Sequence, residues 1–190
     1  EAYRYEPTAK LTSGNFVFLN IAELHPKKNH KLLIEAFAAL KKKSKHTNAK
    51  LWLAGSGSEH DAIKEQIENL QLQNDIIMLG LLSRQKILEA IQQSDSIVLS
   101  SDYETFGVVL IEGMLFGKPV IATKCGGPES FVNEKCGILI ETGNAQQLTD
   151  AMVWQMDNYS SYNAATIRNY ASEKFGAASF LKKIKEIYPN

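Results

Sequence analysis

The sequence predicts a doubly wound α/β domain of three layers, in which helices cover both faces of a parallel sheet of about six strands. Short, almost wholly apolar runs recur along the chain, as they do in strands that are buried on both faces of a sheet. Segments with helical spacing of apolar residues separate these runs. Strands that alternate with helices at this interval are joined by right-handed crossovers, which makes the sheet parallel.

The apolar runs and the segments between them follow in a regular order. Six runs are predicted to form strands, which cover residues 16–22, 50–54, 76–79, 96–99, 119–122 and 137–140. Helices are predicted at about 29–43, 59–72, 84–93 and 107–116, and from residue 144 to the end with breaks near 159–160 and 175–176. These elements predict a Rossmann-like domain over residues 13–190 that closes with helices, preceded by a polar linker over residues 1–12.

Local signals support the individual elements. Asn29 is a suitable N-cap for the first helix, and a run of lysines at 41–43 suits the C-terminus of that helix. The second helix carries Ile63, Ile67 and Leu70 at helical spacing. Gly80 closes the third strand.

Composition restricts the classes of function. The chain has 190 residues, of which 44% are apolar and 22% charged, as in a soluble globular domain. Its 21 basic and 21 acidic residues cancel, which argues against nucleic-acid binding through a broad basic surface. We find no uninterrupted apolar run of about 18 residues, no signal peptide and no metal-ligand spacing at Cys125 and Cys136, so we expect a cytoplasmic location.

The loops after the strands are where chemistry is expected, because ligands of doubly wound folds bind at the carboxyl ends of the strands. After the first strand, Lys27 and Lys28 precede a helix start, where ammonium and N–H groups favour an anion such as phosphate. After the second strand, Gly55 and Gly57 permit a ligand to approach the backbone closely. Solvated lysines and an ordinary turn remain the alternatives for these two loops.

The loop after the fourth strand carries two glutamates, Glu104 and Glu112. With Thr105 as the helix cap, eight helical residues separate them by roughly 12 Å. That separation is too large for sharing a metal or for flanking one glycosidic bond at the about 5 Å of retaining hydrolases. It suits hydrogen bonds to the two ends of an elongated, hydroxyl-rich ligand.

The ligand that fits these groups is a nucleotide-sugar. Between the glutamates, the N–H groups of Phe106, Gly107 and Val108 are expected to open a helix and face phosphate. Glu112 stands in a nearly all-apolar helix, so its carboxylate either needs a partner or points to water. Tandem glycines at 126–127 also permit close backbone approach.

Taken together, these motifs resemble the C-terminal half of a retaining glycosyltransferase of family four, a GT-B class that uses nucleotide-activated sugars. The resemblance runs from about residue 15 to about residue 171. The strongest motif is the E-x7-E pattern from Glu104 to Glu112. Its other parts lie at residues 28–37, 53–57, 117–122 and 126–129.

The resemblance implies roles for single residues. Glu104 would contact the donor sugar with the backbone N–H groups of Phe106 and Gly107, and Glu112 would hold the ribose hydroxyls. Lys28 would neutralise the diphosphate as it leaves, which makes Glu104 and Lys28 the catalytic candidates.

Further donor contacts are expected from backbone segments. Gly80 and Leu81 would line the base pocket, and Val108 and Gly55 would complete the donor site. No metal and no cofactor are expected, and the nucleotide-diphosphate sugar acts as a co-substrate.

One position departs from the family. The family has Gly-Arg-Leu where this chain has Ala22, Glu23 and Leu24. The family's arginine binds the diphosphate, whereas a carboxylate there repels it. We expect Glu23 to turn away and Lys27 or another cation to substitute.

The resemblance also implies a partner. Family members bind the acceptor mainly with an N-terminal domain, which is absent from this sequence. We therefore expect donor binding without transfer, an N-terminal domain as partner, and membrane contact, at the inner face, only through that missing half. A degenerate nucleotide-sugar-binding or regulatory module is the alternative that Glu23 keeps open. A receiver domain ranks last because it predicts an acidic cluster where Glu23 stands alone.

Overall fold

Within the residues that the structure describes, the domain has six parallel strands, as the sequence predicts, and six α-helices. The helical pattern predicted beyond residue 176 lies outside the described residues. The structure, a computed structural model, describes residues 14–176, so the predicted linker over residues 1–12 lies outside the described residues. The strands are β1 (Phe16–Ile21), β2 (Ala49–Ala54), β3 (Ile76–Gly80), β4 (Ser96–Leu99), β5 (Val120–Thr123) and β6 (Gly137–Ile140). The helices are α1 (His30–Lys41), α2 (His60–Asn69), α3 (Arg84–Gln93), α4 (Val108–Leu115), α5 (Ala145–Asp157) and α6 (Ala164–Phe175).

Among the described residues, four short 3₁₀ helices lie in the connections. They cover Pro26–Lys28, Ser44–His46, Pro128–Ser130 and Tyr159–Ser161. Within residues 14–176, no helix combines the length and the apolar character needed to cross a membrane.

The strand order positions the functional edge of the sheet. The six strands pair in the order β3-β2-β1-β4-β5-β6, and the pairs are parallel. The chain winds outward from β1 to one edge, returns to β4 beside β1, and then winds to the other edge. The loops after β1 and β4 therefore diverge, which leaves a crevice at the carboxyl ends of the strands.

The core lies on both faces of the sheet, which explains why the strands read as continuous apolar runs. Phe18 and Leu19 are adjacent in β1 and fully buried, but they belong to different clusters. The cluster of Phe18 packs against α1, α2 and α5, and the cluster of Leu19 packs against α3, α4 and α6. Buried on both sides, the sheet is a rigid base for the loops at its edge.

His30, the first residue of α1, is a polar group inside this core. It is 3% exposed, and neither ring nitrogen has a hydrogen-bond partner among the described residues. Burial, helped by the charge of Lys28, lowers the pKa of His30 from 6.5 to about 4. The folded protein therefore keeps this imidazole neutral where the unfolded chain protonates it.

We predict that His30 makes the domain less stable as the pH falls from 6.5 to 4. Over this range the unfolded chain binds a proton that folded His30 does not, so the free energy of unfolding drops, by up to about 3 kcal/mol. Urea unfolding at a series of pH values, compared between the wild type and His30→Leu, measures this contribution. Burial also lowers the pKa of His46, but His46 is present in both proteins and cancels in the comparison. Equal pH dependence of the two proteins would show that His30 makes no such contribution.

Candidate functional site

Two adjoining cavities open at the carboxyl edge of the sheet, where the loops after β1 and β4 diverge. The first, which we call the lysine cleft, has a volume of about 290 Å³ and is lined by residues that include Lys28 and Glu104. The second, which we call the glycine cavity, has a volume of about 520 Å³ and is lined by residues that include Gly55 and Leu81. Glu23 lines both cavities, so they lie side by side in one crevice.

The lysine cleft contains a close ion pair. The Nζ atom of Lys28 donates to Oε2 of Glu104 at 2.6 Å, and the two side chains are 25% and 18% exposed. The pair joins the loop after β1 to the loop after β4, which are far apart in the sequence. A partly buried pair is screened by solvent less than a surface pair is, so this contact restrains both loops.

Backbone contacts place Lys28 in that position. It ends the 3₁₀ helix Pro26–Lys28, and its carbonyl accepts a hydrogen bond from the Ser100 hydroxyl. The Asp102 N–H donates to the Lys27 carbonyl, and the Asn29 amide donates to the Asp102 carboxylate. These contacts hold the loop that contains Lys27 and Lys28 against the residues that follow β4.

Several groups stabilise the charge of Glu104. Its partial burial alone would raise the pKa of the carboxyl, but Lys28 and the backbone N–H groups of Phe106 and Gly107 hold that pKa below its usual value. The carboxylate thus occupies a place built for negative charge, between an ammonium group and two converging N–H groups. A phosphate oxygen has the same chemistry and would be accepted by the same donors.

The prediction that Thr105 caps α4 is wrong. α4 begins at Val108, and its N-cap is Gly107 with a φ of 81°, without a side-chain cap. Glu104 forms a β-bridge with Gly126 instead. The segment before Val108 is not helical, so the helical spacing that the sequence suggested between Glu104 and Glu112 does not apply. The N–H groups of Phe106 and Gly107 precede the helix and turn toward Glu104.

Glycines allow the protein's own loops to approach one another. A Cβ on Gly127 would lie 2.4 Å from Cα of Phe106, and one on Gly55 would lie 1.9 Å from the carbonyl oxygen of Ala22. Real Cβ contacts are never so short, so both positions require glycine. The sequence suggested that Gly55 lets a ligand approach the backbone. In the structure, Gly55 and Gly127 each allow one backbone segment to approach another.

Glu112 has a partner that the sequence did not reveal. Its side chain is 15% exposed, so it does not point to water, and Oε1 accepts from Nη2 of Arg84 at 2.7 Å. Arg84 is the first residue of α3, and nothing in the sequence pairs it with α4. Glu112 itself is not among the residues that line the two cavities, but Val109, one turn earlier in α4, lines the glycine cavity.

The remaining predicted residues lie around the same crevice. The Gly80 carbonyl accepts from the Gly55 N–H at 2.9 Å, and Leu81 is 81% exposed at the glycine cavity. Lys27 lines the lysine cleft and is exposed. By contrast, Phe106 and Val108, the first residue of α4, are exposed but line neither cavity.

Other groups have structural roles. Cys125 is buried, and burial raises the pKa of its thiol, as expected of a small core residue. The Glu129 carboxylate accepts from the Gly126 N–H at 2.7 Å and so closes its own loop. Among the residues that the structure describes, no group of three or more His, Cys, Asp or Glu residues is arranged to hold a metal ion.

Two larger grooves lie elsewhere on the domain. One, of about 600 Å³, runs between α1 and α2, and the other, of about 800 Å³, lies beside β6 and α5. Size alone therefore does not identify the site. The crevice differs from these grooves in its position at the switch point of the sheet and in the Lys28–Glu104 pair.

Comparison with known proteins assigns the chain to a group. A family model described as "Glycosyl transferases group 1" matches residues 5–173. Among curated proteins, N-acetyl-alpha-D-glucosaminyl L-malate synthase of Bacillus anthracis is 27% identical over 181 residues, which cover 94% of this chain and 46% of that protein.

Solved structures agree with the sequence match. TarM of S. aureus, determined as a mutant with fondaparinux, alpha-GlcNAc-glycerol and UDP, superposes with a TM-score of 0.84 at 26% identity and covers 98% of this chain and 38% of its own. HepE of Anabaena, in complex with UDP-glucose, has a TM-score of 0.80 at 29% identity, with 93% of this chain and 49% of its own covered. The chain thus spans less than half the length of each of these relatives.

We predict that Lys28→Met raises the pKa of the Glu104 carboxyl toward its usual value. The substitution removes the hydrogen bond and the charge that lower this pKa, while the partial burial that raises it persists. An NMR titration of the side-chain carboxyl carbon measures the change. Lys27→Met is the matched control, because the neighbouring Lys27 is not among the causes of the shift. An unchanged Glu104 pKa in Lys28→Met would show that the pair does not set the electrostatics of the cleft.

Proposed function

This chain belongs to the glycosyl transferases group 1 family, and we propose that it is the part of such an enzyme that binds a nucleotide-diphosphate sugar. In this proposal the sugar is the donor in a retaining transfer of a hexosyl-type group to an acceptor. The observation that carries the proposal is the Lys28–Glu104 pair, held at 2.6 Å at the switch point of the sheet. It offers a cation for a phosphate and a carboxylate for a sugar hydroxyl within one cleft.

The diphosphate is proposed to bind at Lys28 and at the N–H groups of Phe106 and Gly107. In the structure these donors bind Glu104. When a diphosphate takes the place of the Glu104 carboxylate, that carboxylate is released to accept hydrogen bonds from the sugar. Because the diphosphate of a nucleotide-sugar carries two negative charges and a carboxylate carries one, the exchange is electrostatically favourable at the same donors.

The transfer step follows from these positions. The bond between the anomeric carbon and the diphosphate oxygen breaks, and its electron pair leaves with the diphosphate, whose charge Lys28 stabilises. The anomeric centre develops oxocarbenium character, which the nearby Glu104 carboxylate stabilises. The acceptor hydroxyl then forms the new bond to that carbon and gives its proton to the departing diphosphate oxygen.

The nucleoside is proposed to occupy the glycine cavity. Gly55, Gly80 and Leu81 would flank the base, Glu112 would accept from the ribose hydroxyls, and Val108 would close the side next to α4. The two cavities share Glu23, so a ligand that spans both reaches from Leu81 to Glu104. The TarM and HepE structures contain UDP and UDP-glucose, which supports a uridine diphosphate sugar as the donor.

The acceptor is proposed to bind to a further, N-terminal domain, and the domain described is proposed to bind the donor without transferring it on its own. Cytoplasmic location, membrane contact through that further domain and independence from metal and cofactor remain predictions.

A second candidate is a degenerate binding or regulatory module, and Glu23 is the feature that favours it. Its exposed carboxylate lines both cavities, where a diphosphate is expected. Lys27 lines the same cleft and supplies a compensating charge. Turnover of the full-length protein with a panel of donors separates the two candidates.

We predict that the domain binds UDP, that Lys28→Ala abolishes this binding, and that Lys27→Ala weakens it. Calorimetry of UDP with each variant measures the affinities, and Lys64→Ala, an exposed lysine on α2, serves as the control. In a thermal-shift assay, UDP at a hundredfold excess over its dissociation constant stabilises the wild type by about 2.7 kcal/mol. Unaltered affinity in both Lys28→Ala and Lys27→Ala would contradict the proposed position of the diphosphate.

A further inference from the structure

The ion pair between Arg84 and Glu112 is a feature that neither the predicted roles nor the fold accounts for. Glu112 lies on α4 among apolar neighbours, and Leu110, Ile111 and Met114 on the same helix are buried. Burying most of a carboxylate side chain in this way is costly unless a partner compensates its charge. Arg84 does so at 2.7 Å while its own side chain is 48% exposed.

Arg84 stands where the local rules of helix formation do not favour a cation. It is the first residue of α3, after the N-cap Ser83, whose side chain accepts from the Lys86 N–H. The first turn of α3 carries no acidic residue. Because the positive end of the helix dipole disfavours cations there, the arginine works against the stability of its own helix. A residue that disfavours its own helix in this way is typical of a functional site.

Neighbours of both residues line the glycine cavity, although Arg84 and Glu112 themselves do not. Leu82, two residues before Arg84, lines that cavity, and so does Val109, which is one turn before Glu112 on α4. Residues three apart on a helix share a face. Arg84 and Glu112 therefore join α3 and α4 beside the cavity that the nucleoside is proposed to occupy.

We infer that Arg84 is a positioning residue for ribose recognition, which holds the Glu112 carboxylate toward the cavity so that it accepts hydrogen bonds from the ribose hydroxyls. The inference rests on the proposed function and adds to it the residue that positions the carboxylate proposed to bind the ribose. A carboxylate fixed by an arginine keeps its geometry when the ligand arrives. A carboxylate without that partner turns to water and discriminates poorly.

The experiment compares UDP with 2′-deoxy-UDP by calorimetry. The wild type is expected to bind UDP about tenfold more tightly, since a hydrogen bond to a charged group is lost with the hydroxyl. In Arg84→Met this ratio is expected to fall to about twofold or less, and Glu112→Gln is expected to do the same. The double variant should show no further loss, because both changes remove one shared function.

Controls separate positioning from a general structural role. Gln85→Ala alters the neighbouring residue, whose amide contacts Glu89 on the same helix, and should leave the ratio at the wild-type value. Arg84→Lys keeps the cation and should restore part of the ratio. Circular dichroism and thermal unfolding confirm that each variant is folded.

Several results would overturn the inference. Arg84→Met with the wild-type ratio, or with an equal loss of affinity for both nucleotides, would do so while the proposed function stands. A wild type that binds both nucleotides equally would overturn the inference and the proposed role of Glu112, but not the proposed donor binding at Lys28. A wild type that binds neither nucleotide refutes the proposed function, and this inference with it.

Discussion

The contact on which the rest of the site depends is the ion pair between Lys28 and Glu104. It brings a cation from the loop after β1 onto a carboxylate from the loop after β4, at 2.6 Å and partly shielded from water. The backbone N–H groups of Phe106 and Gly107 converge on the same carboxylate. The crevice thus stabilises negative charge, and a diphosphate that binds there competes with the Glu104 carboxylate.

The fold is what makes this pairing possible. β1 and β4 are neighbours in the sheet although α1, α2 and α3 lie between them in the chain. Their loops flank the crevice at the switch point and are joined by the Lys28–Glu104 pair. Gly127, in the loop after β5, lets that loop approach the β4 loop closely, since a Cβ on Gly127 would strike Phe106. The buried strands β1 and β4 fix the loops that follow them, so packing as well as the ion pair sets the positions of Lys28 and Glu104.

Sequence reasoning predicted the elements well because apolar runs and helical spacing are local patterns. It also predicted that Glu112 needs a partner, from the apolar character of α4, but not that the partner is Arg84, because tertiary pairing leaves no local pattern. Thr105 was wrong as a cap because Gly107, with a positive φ, starts the helix later. The tandem glycines were predicted to permit close backbone approach, and Gly127 does allow two loops to approach each other. Gly55 was interpreted as serving a ligand, whereas its backbone lies against that of Ala22. The burial of His30 likewise depends on packing that its neighbours in the chain do not reveal.

A crystal structure of the domain with UDP tests the central claim most directly. The diphosphate is expected within hydrogen-bond distance of Lys28 and of the N–H groups beside α4, with the uracil in the glycine cavity and Lys28 turned from Glu104 to the phosphate. UDP bound in the groove between α1 and α2 or beside β6, with the Lys28–Glu104 pair intact, would contradict the claim.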